Sequence, residues 1–400
     1  MKYAVILGDG MADEPLKELG GKTPLEYAHT PVMDSLAGSG EIGMVHTIPE
    51  GMSPGSDTAN LSVLGYDPRQ YYTGRSPLEA LSIGVPMEET DIAFRCNLVT
   101  LTQDGEYEDK RILDHSSDEI STEDAAVLLQ AVAAQLQDET HRFYTGTSYR
   151  HCLIEKGGSV IELTPPHDIL EQRIGNYLPK DETLCSMMKR SWEILANHPL
   201  NLKRMAEGKN PANSIWFWGA GTKPSLSPFE ERFQKKGAMV SAVDLLKGIA
   251  VGASMTNITV PGANGGLDTN YEGKANAAAD ALLRDGFDFV YIHLEAPDEM
   301  GHQGSWERKV QAIENLDARI LAPFVHALND SGEEYRIAVL PDHPTPVRLR
   351  THTGDAVPYL IFDSRRRERD GKIYCERTAA ASGRIIERGC DLMKILLEQE

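Results

Sequence analysis

The chain has 400 residues, of which 41% are hydrophobic and 25% are charged, and this is typical of a globular protein large enough for two domains. Its formal net charge of -20 argues against a nucleic-acid partner, which would need surplus Lys and Arg, but not against a small anion held by a local arginine cluster. The five cysteines are scattered and include no C-x-x-C pair, which predicts a protein without disulfides. The sequence has no signal-peptide pattern and no apolar run of membrane length, so we expect a cytoplasmic protein without a membrane partner.

The first predicted strand covers residues 3–7, a short apolar and β-branched run that is followed by Gly8-Asp9-Gly10. Small residues on both sides of Asp9 let the backbone turn sharply and expose the carboxylate at the end of the strand. Asp9 is therefore a candidate site residue, although a plain Asp-Gly turn would leave the same pattern.

A loop rich in small residues, 51–60, leads into a short predicted helix with Ser56 where the helix begins. The free N–H groups and positive dipole end at a helix N-terminus favour an anion or a developing alkoxide. Taken alone, however, Ser56 is more typical of an ordinary N-cap.

The character of the sequence changes near residue 91. Short strands and one helix rich in Ala, Leu and Gln follow, set between parts of a parallel sheet, and this arrangement predicts an inserted α+β domain. We place the insertion at residues 89–181, within a discontinuous domain made of residues 1–88 and 182–400. The predicted elements of the insertion are strands at 91–102, 141–144, 151–155 and 160–163, and a helix at 122–137.

The segment 287–304, FDFVYIHLEAPDEMGHQG, contains the strongest candidate site. Its first eight residues are nearly all apolar, predict a buried parallel strand, and break at Pro297 just before Asp298 and His302. Open α/β sheets bind ligands at the carboxyl ends of their strands, and a spacing of four residues lets two side chains point the same way on a helix. A capping Asp and a surface His would explain this pair equally well.

The same pattern recurs further along the chain. Residues 336–340 predict another buried strand, Asp342 and His343 follow it, and His352 lies on the loop before the apolar run 357–362. Together with the candidates above, three Asp and three His converge on one sheet edge, a mixed N/O ligand set large enough for two divalent ions. Such ions would also make a serine at that edge nucleophilic.

The motifs GDGMAD, GSDTANLSVLGYDP, YYTGRSPLEA, FRCNLVT, APDEMGHQG, PDH and HTGDAVPYLI together resemble the archaeal-type cofactor-independent phosphoglycerate mutases of the alkaline phosphatase superfamily. The resemblance spans nearly the whole chain in the same order and spacing. It implies a doubly wound, mostly parallel α/β sheet interrupted by a smaller substrate-handling domain. It also implies interconversion of 3-phosphoglycerate and 2-phosphoglycerate through a phosphoserine, without 2,3-bisphosphoglycerate.

The resemblance further implies a role for particular residues. Ser56 resembles the nucleophile. Asp9, Ser56, Asp342 and His343 resemble the ligands of one metal ion, and Asp298, His302 and His352 those of a second. Manganese is the expected ion, with zinc, magnesium and cobalt as alternatives. The implied substrate contacts are Arg75, Arg95, Asn97, Arg150, His151, Lys223 and Lys274.

Two features depart from the broader pattern. Pro344-Thr345-Pro346 follows His343 where the superfamily usually has a glycine, and Glu295-Ala296-Pro297 precedes Asp298. Both are similar to a bacterial branch of the family proposed to act on homoserine as a kinase, although the chain has no G-x-x-x-x-G-K-[ST] loop for ATP. A homoserine kinase-like phosphotransferase, a metal-dependent phosphomonoesterase and a non-catalytic metal-binding protein are therefore the alternatives to the mutase.

Overall fold

The computed structural model describes residues 1–366 and 370–399. The chain forms two compact units, the first made of Met1–Tyr72 with Ser225–Glu400 and the second of Thr73–Pro224. The second unit is thus inserted into the first. It extends beyond the predicted insertion at both ends, because a helix before residue 89 and a strand after residue 181 pack on its central strand.

The first segment of the first unit begins with a buried strand, and its early helices carry proline in their first turn, where the missing N–H costs no hydrogen bond. Its elements are β1 (Lys2–Gly8), α1 (Pro24–Tyr27), α2 (Pro31–Ala37), β2 (Glu41–Val45), α3 (Ser56–Val63) and α4 (Pro68–Tyr71). The seven-residue strand β1 is buried along nearly its whole length, as its apolar sequence predicts.

The second unit is an antiparallel sheet with helices, built around one ten-residue strand that is buried throughout. Its elements are α5 (Arg75–Ser82), β3 (Ile92–Leu101), β4 (Ile112–Asp114), α6 (Thr122–Leu136), β5 (His141–Tyr144), β6 (Arg150–Glu155), α7 (Glu182–Leu195), α8 (Pro199–Ala206) and β7 (Ser214–Thr222). Strand β3 pairs with β4, β6 and β7, and β6 pairs with β5. Phe94, Leu128, Met188 and Trp216 are part of the apolar core between this sheet and its helices.

The remainder of the first unit alternates helices with strands. Its elements are α9 (Phe229–Phe233), β8 (Gly237–Val240), α10 (Asp244–Gly252), β9 (Thr256–Asn257), α11 (Tyr271–Leu283), β10 (Phe289–Leu294), α12 (Ala296–His302), α13 (Trp306–Asn315), α14 (Ala322–Ser331), β11 (Tyr335–Leu340), β12 (Val357–Asp363), α15 (Glu376–Ala381), β13 (Ile385–Ile386) and α16 (Leu392–Leu397). A π-helical turn, Leu316–Leu321, joins α13 to α14. From this turn the buried Asp317 accepts hydrogen bonds from the N–H groups of Val32 and Met33, and so caps α2.

The first unit is organised around an eight-stranded sheet in the order β13-β2-β12-β11-β1-β10-β8-β9. The strands from β11 to β9 run parallel, whereas β12 is antiparallel to both of its neighbours. Val290 and Ile292 face a core that includes residues of α11, α13 and α14, and Tyr291, which points to the other face, donates a hydrogen bond to Asn60 of α3. Helices therefore cover both faces, and the predicted α/β fold with a mostly parallel sheet is confirmed.

This topology brings three loops together. Strands β10, β1 and β11 are parallel neighbours, so their carboxyl ends lie at one edge of the sheet. Asp9 directly follows β1, α12 with Asp298 follows β10, and Asp342 is two residues beyond the end of β11. The described part of the chain contains no helix with the length and apolarity needed to cross a membrane.

A buried ion pair joins these loops to α13. Lys309 Nζ lies 2.7 Å from Asp13 Oδ2, and both side chains are 0% exposed. The same ammonium donates to the carbonyl oxygens of Ala12 at 3.1 Å and Thr345 at 2.9 Å. The ammonium thus uses its three protons on two of the three loops.

We expect Lys309→Met to destabilise the protein by about 3–5 kcal/mol, because it leaves the Asp13 carboxylate buried without its partner. Denaturant unfolding followed by circular dichroism measures the change. Lys247→Met is the matched control, since Lys247 pairs with Asp244 at 3.2 Å on the partly exposed surface of α10, where such a pair contributes about 0–1 kcal/mol. Equal midpoints for the two variants would contradict this view of the buried pair.

Candidate active site

The loop after β1 is shaped around a glycine. Gly10 has φ +60°, and its N–H donates to Asp342 Oδ1 at 3.0 Å. A Cβ at this position would lie 2.5 Å from both Asp298 Oδ1 and Thr345 Oγ1. Glycine is therefore required twice, for the left-handed backbone and for the space that lets the three loops meet.

One group of potential ligand atoms contains Asp9, Asp342 and His343, whose atoms all lie within 4.8 Å of one another. The His343 Nε2 atom is 3.5 Å from Asp9 Oδ1 and 3.5 Å from Asp342 Oδ2. Ser56 Oγ lies 3.2 Å from His343 Nε2 and 3.4 Å from Asp9 Oδ2. The serine hydroxyl is thus part of this group.

A second group contains Asp298, His343 and His352, again with ligand atoms within 4.8 Å of one another. His302 completes it, because its Nε2 lies 3.2 Å from Asp298 Oδ2 and 3.0 Å from His352 Nε2. His343 belongs to both groups, so the two are contiguous. The structure therefore brings together Ser56 and the six predicted ligands in one cluster: Asp9, Asp298, His302, Asp342, His343 and His352.

The electrostatics of this cluster fit a pair of divalent cations. Burial, together with the charges of Asp342 and Asp298, raises the pKa of Asp9 well above its usual value. Burial also acts to raise the pKa of Asp298, but hydrogen bonds with His302 and His352 lower it well below its usual value. Among the described residues, the buried Asp9 Oδ1 has no hydrogen-bond partner. Buried carboxylates grouped with imidazoles, one with a free oxygen, are a suitable donor set for such ions.

His293 is a site residue that the sequence reasoning missed. It is fully buried, its Nε2 lies 2.9 Å from Asp9 Oδ2, and its Nδ1 lies 3.2 Å from Ser241 Oγ. Burial lowers its pKa to about 3, so the imidazole is neutral and its Nε2–H can donate to the Asp9 carboxylate. The signal was present in the sequence, because a histidine in an otherwise apolar buried strand needs a polar partner.

Two further residues fix the position of the serine. Asn60 Nδ2 donates to Asp342 Oδ2 at 2.9 Å and to the Ser56 carbonyl at 2.8 Å, and Tyr291 donates to Asn60 Oδ1 at 2.6 Å. The N-cap of α3 is Gly55, and Ser56 is the first residue of the helix. The Ser56 hydroxyl is therefore not used as the cap.

The two predicted lysine contacts have different surroundings. Lys274 is 0% exposed, and its Nζ donates to the carbonyl of His293 at 3.0 Å. His293 is the residue whose imidazole contacts Asp9. Burial lowers the pKa of Lys274 to about 8, although the charge of Glu295 acts to raise it. Lys223 is exposed in the second unit, just beyond the end of β7.

The second unit contains a cluster of guanidinium groups. Glu79 accepts a hydrogen bond from Arg75 Nε at 2.9 Å, and its other oxygen lies 2.9 Å from Arg95 Nε. The Arg95 guanidinium lies 4.5 Å from the centre of the Trp218 ring. Burial lowers the pKa of Arg95, Glu79 opposes this, and the nearby positive charges of Arg75 and Arg150 lower it further. The three arginines of this cluster thus give it a surplus of positive charge around one acidic side chain, Glu79.

Asn97 and His151 lie on neighbouring strands of the same sheet. Asn97 Oδ1 accepts from Trp218 Nε1 at 3.0 Å, and its Nδ2 donates to the His115 carbonyl at 3.3 Å. His151 is buried, its Nδ1 accepts from Gly146 N–H at 3.1 Å, and burial lowers its pKa to about 4. Its Nε2 has no hydrogen-bond partner in the described part of the chain, and because Nδ1 accepts, this neutral imidazole has a free Nε2–H donor.

Comparison with known proteins identifies the sequence family. A model of the 2,3-bisphosphoglycerate-independent phosphoglycerate mutase family matches residues 37–201. The protein of that name from Methanosarcina barkeri is 49% identical over 100% of both chains. A probable 2,3-bisphosphoglycerate-independent phosphoglycerate mutase from Geobacter sulfurreducens is 48% identical, also over 100% of both chains.

Two solved structures are also similar to this chain over its full length. The PH0037 protein from Pyrococcus horikoshii is 32% identical with a TM-score of 0.82, and the match covers 100% of this chain and 98% of that one. A cofactor-independent phosphoglycerate mutase from Thermoplasma acidophilum is 27% identical with a TM-score of 0.67, covering 100% and 99%. The resemblance inferred from the motifs is thus confirmed, and the chain belongs to the family of 2,3-bisphosphoglycerate-independent phosphoglycerate mutases.

Proposed function

We propose that the protein interconverts 3-phosphoglycerate and 2-phosphoglycerate through a phosphoserine formed on Ser56. One observation carries the proposal. The Ser56 hydroxyl is held at the start of α3 within 3.5 Å of both Asp9 and His343, inside a cluster of buried carboxylates and imidazoles. The names of the relatives, which cover the full chain, support the same reaction.

Two divalent ions would be held by this cluster. Asp9, Ser56, Asp342 and His343 would bind one, and Asp298, His302 and His352 the other, with manganese as the first candidate and zinc, magnesium and cobalt as the alternatives. Bound there, such ions lower the pKa of the serine hydroxyl and neutralise charge on the transferring phosphoryl group.

The side chains of this cluster then perform two transfers in sequence. Ser56 Oγ loses its proton and attacks phosphorus, so that the Oγ–P bond forms as the bond from phosphorus to the 3-oxygen of glycerate breaks. The 3-oxygen takes up a proton. The 2-hydroxyl of the same glycerate next loses its proton and attacks the phosphoserine, which releases 2-phosphoglycerate and restores Ser56. His293 and Asn60 keep Asp9 and Asp342 oriented throughout, since each donates a hydrogen bond to one of these carboxylates.

The anionic groups of the substrate suit the guanidinium cluster. A carboxylate and a phosphate each accept paired hydrogen bonds from arginine, so we assign Arg75, Arg95 and Arg150 to these groups. Asn97, which is anchored to Trp218, and the unpartnered Nε2 of His151 offer polar contacts for the glycerate hydroxyls. The remaining proposed phosphate contacts are Lys223 and Lys274.

The test is a turnover assay on manganese-loaded protein with 3-phosphoglycerate and no added bisphosphoglycerate, in which enolase coupling reports 2-phosphoglycerate. We expect isomerisation with little free phosphate. Release of phosphate without isomerisation would overturn the mutase in favour of a phosphomonoesterase. Phosphohomoserine formed from ATP and homoserine, again without isomerisation, would overturn it in favour of the kinase.

Arg150 offers a direct test of substrate recognition. It is exposed, and its guanidinium lies 5.3 Å from the centre of the Tyr149 ring, so its removal leaves the core of the second unit untouched. We expect Arg150→Ala to lower kcat/KM by about 10- to 100-fold, mainly through KM, because a charge-assisted hydrogen bond contributes about 1.5–3 kcal/mol. Arg142→Ala, an exposed arginine on β5, is the control. A KM equal to that of Arg142→Ala would show that Arg150 does not bind the substrate.

A further inference from the structure

Thr345, in the loop after β11, is buried, and both its N–H and its carbonyl form hydrogen bonds. It is 0% exposed, its N–H donates to the Ala12 carbonyl at 3.3 Å, and its carbonyl accepts from Lys309 Nζ at 2.9 Å. A Cβ on Gly301 would lie 2.5 Å from the Thr345 carbonyl oxygen, and a Cβ on Gly10 would lie 2.5 Å from its Oγ1. The backbone of Thr345 is therefore fixed independently of its hydroxyl, and the hydroxyl fills the space that Gly10 leaves open.

The hydroxyl contacts both ligand groups. Oγ1 forms a hydrogen bond with Asp298 Oδ1 and lies 3.3 Å from His343 Nδ1. Asp298 belongs to the second group only, whereas His343 is common to the two. No other hydrogen bond of this hydroxyl is found in the described part of the chain, so its hydrogen-bonding capacity is used on these two residues.

A count of protons decides the direction of both bonds. A threonine hydroxyl has one proton to donate and two lone pairs with which to accept. An ionised carboxylate can only accept, so the proton of Oγ1 goes to Asp298 Oδ1. His343 must then be the donor through Nδ1–H, and in a neutral imidazole this leaves the lone pair on Nε2. Nε2 is the atom that lies 3.2 Å from Ser56 Oγ and 3.5 Å from Asp9 Oδ1.

We propose that Thr345 is a positioning residue for both metal-binding groups: its hydroxyl orients the Asp298 carboxylate and sets the tautomer of His343 that presents Nε2 to the serine and the first ion. The inference rests on the proposed function, because it assigns Asp298 and His343 as metal ligands. Hydrogen bonds to the outer atoms of metal ligands raise metal affinity by holding the ligand in its binding orientation.

Two substitutions separate the hydroxyl from the shape of the side chain. Thr345→Val keeps the shape and removes the hydroxyl, and Thr345→Ser keeps the hydroxyl and removes a methyl group. We expect Thr345→Val to weaken Mn²⁺ binding, measured by electron paramagnetic resonance titration, by about 10- to 100-fold, and Thr345→Ser to bind within about threefold of the unsubstituted protein. The metal-free melting temperatures serve as the control for folding. Equal Mn²⁺ affinity in Thr345→Val and the unsubstituted protein would overturn the proposal.

The unsubstituted protein provides a second measurement that does not depend on a variant folding. In the zinc-loaded protein, ¹⁵N NMR of the histidine rings should show His343 protonated at Nδ1, with a proton that is protected from exchange. Protonation at Nε2, or an unprotected Nδ1 proton, would overturn the assignment. Both measurements follow binding rather than turnover. Two bound ions without isomerase activity would therefore remove the proposed function and leave the role of Thr345 standing.

Discussion

Ser56→Ala is expected to lower mutase activity by about 10⁴- to 10⁶-fold while leaving most of the metal binding intact. The substitution removes the oxygen that would carry the phosphoryl group between the two hydroxyls of glycerate. The other proposed ligands of both ions remain, and α3 is still anchored by the hydrogen bond between Asn60 and Asp342. Enolase-coupled turnover and the metal content of the purified protein measure the two quantities separately.

The matched control for this variant is Ser53→Ala. Ser53 lies on the same loop three residues earlier and is exposed. Its removal should leave turnover unchanged, which would show that the effect at Ser56 does not come from a disturbed loop. Retention of full activity by Ser56→Ala would eliminate the phosphoserine route. Incubation with ³²P-labelled phosphoglycerate followed by rapid denaturation should also label the unsubstituted protein and leave Ser56→Ala unlabelled.

Removal of divalent cations is expected to have a similarly large effect. Without them, the crowded carboxylates raise the pKa of Asp9 well above its usual value, and no divalent cation is present beside the serine to offset the charge of a transferring phosphoryl group. Dialysis against a chelator should lower activity by about 10³-fold or more, because the ions supply several kcal/mol to the transition state. Added Mn²⁺ should restore it. Elemental analysis of the loaded protein should find two ions for each chain.

A substitution in only one of the two ligand groups makes the test of metal dependence more specific. Asp298→Asn changes a ligand of the second ion only, and we expect it to retain about one ion for each chain together with a comparable loss of activity. Asp285→Asn, an exposed position in the loop before β10, is the control for loss of a single negative charge. Activity that survives chelation in the unsubstituted protein would refute the two-metal proposal.

Three aspartates of the site could be predicted from the sequence, and for the same physical reason. Asp9, Asp298 and Asp342 each come just after an apolar segment, and carboxyl ends of parallel neighbours in a sheet lie together. Local sequence was therefore enough to place these side chains on one edge. The fold class followed from the same alternation of buried strands and helices.

Other parts depend on tertiary register, which local sequence does not reveal. His293 reaches Asp9 because β10 pairs with β1 so that His293 lies opposite Leu7, two residues before the aspartate. Asn60 reaches Asp342 across 282 positions of sequence. Such partners become visible only once the strands are aligned. A polar residue within an apolar segment was the available indication, and it was not used for His293.

The extent of the second unit shows the same limit. Strand β7 has an aromatic sequence that would suit either sheet, and it pairs with β3 over nearly the whole length of that strand. The predicted boundary at residue 181 assigned it to the first unit, because the helix that begins at residue 182 was expected to return the chain to that unit. Which sheet receives a strand depends on contacts distant in sequence.

The insertion also determines the order in which the protein can be completed during synthesis. Tyr3 of β1 pairs with Phe289 of β10 and with Arg336 of β11, so the central strand of the first unit is made long before either neighbour. At about 5–20 residues per second, β10 leaves the ribosome roughly 15–60 s after β1. Residues 73–224, in contrast, form a contiguous unit that can fold during that interval. The cluster around Ser56 is therefore assembled last, when nearly the whole chain has emerged.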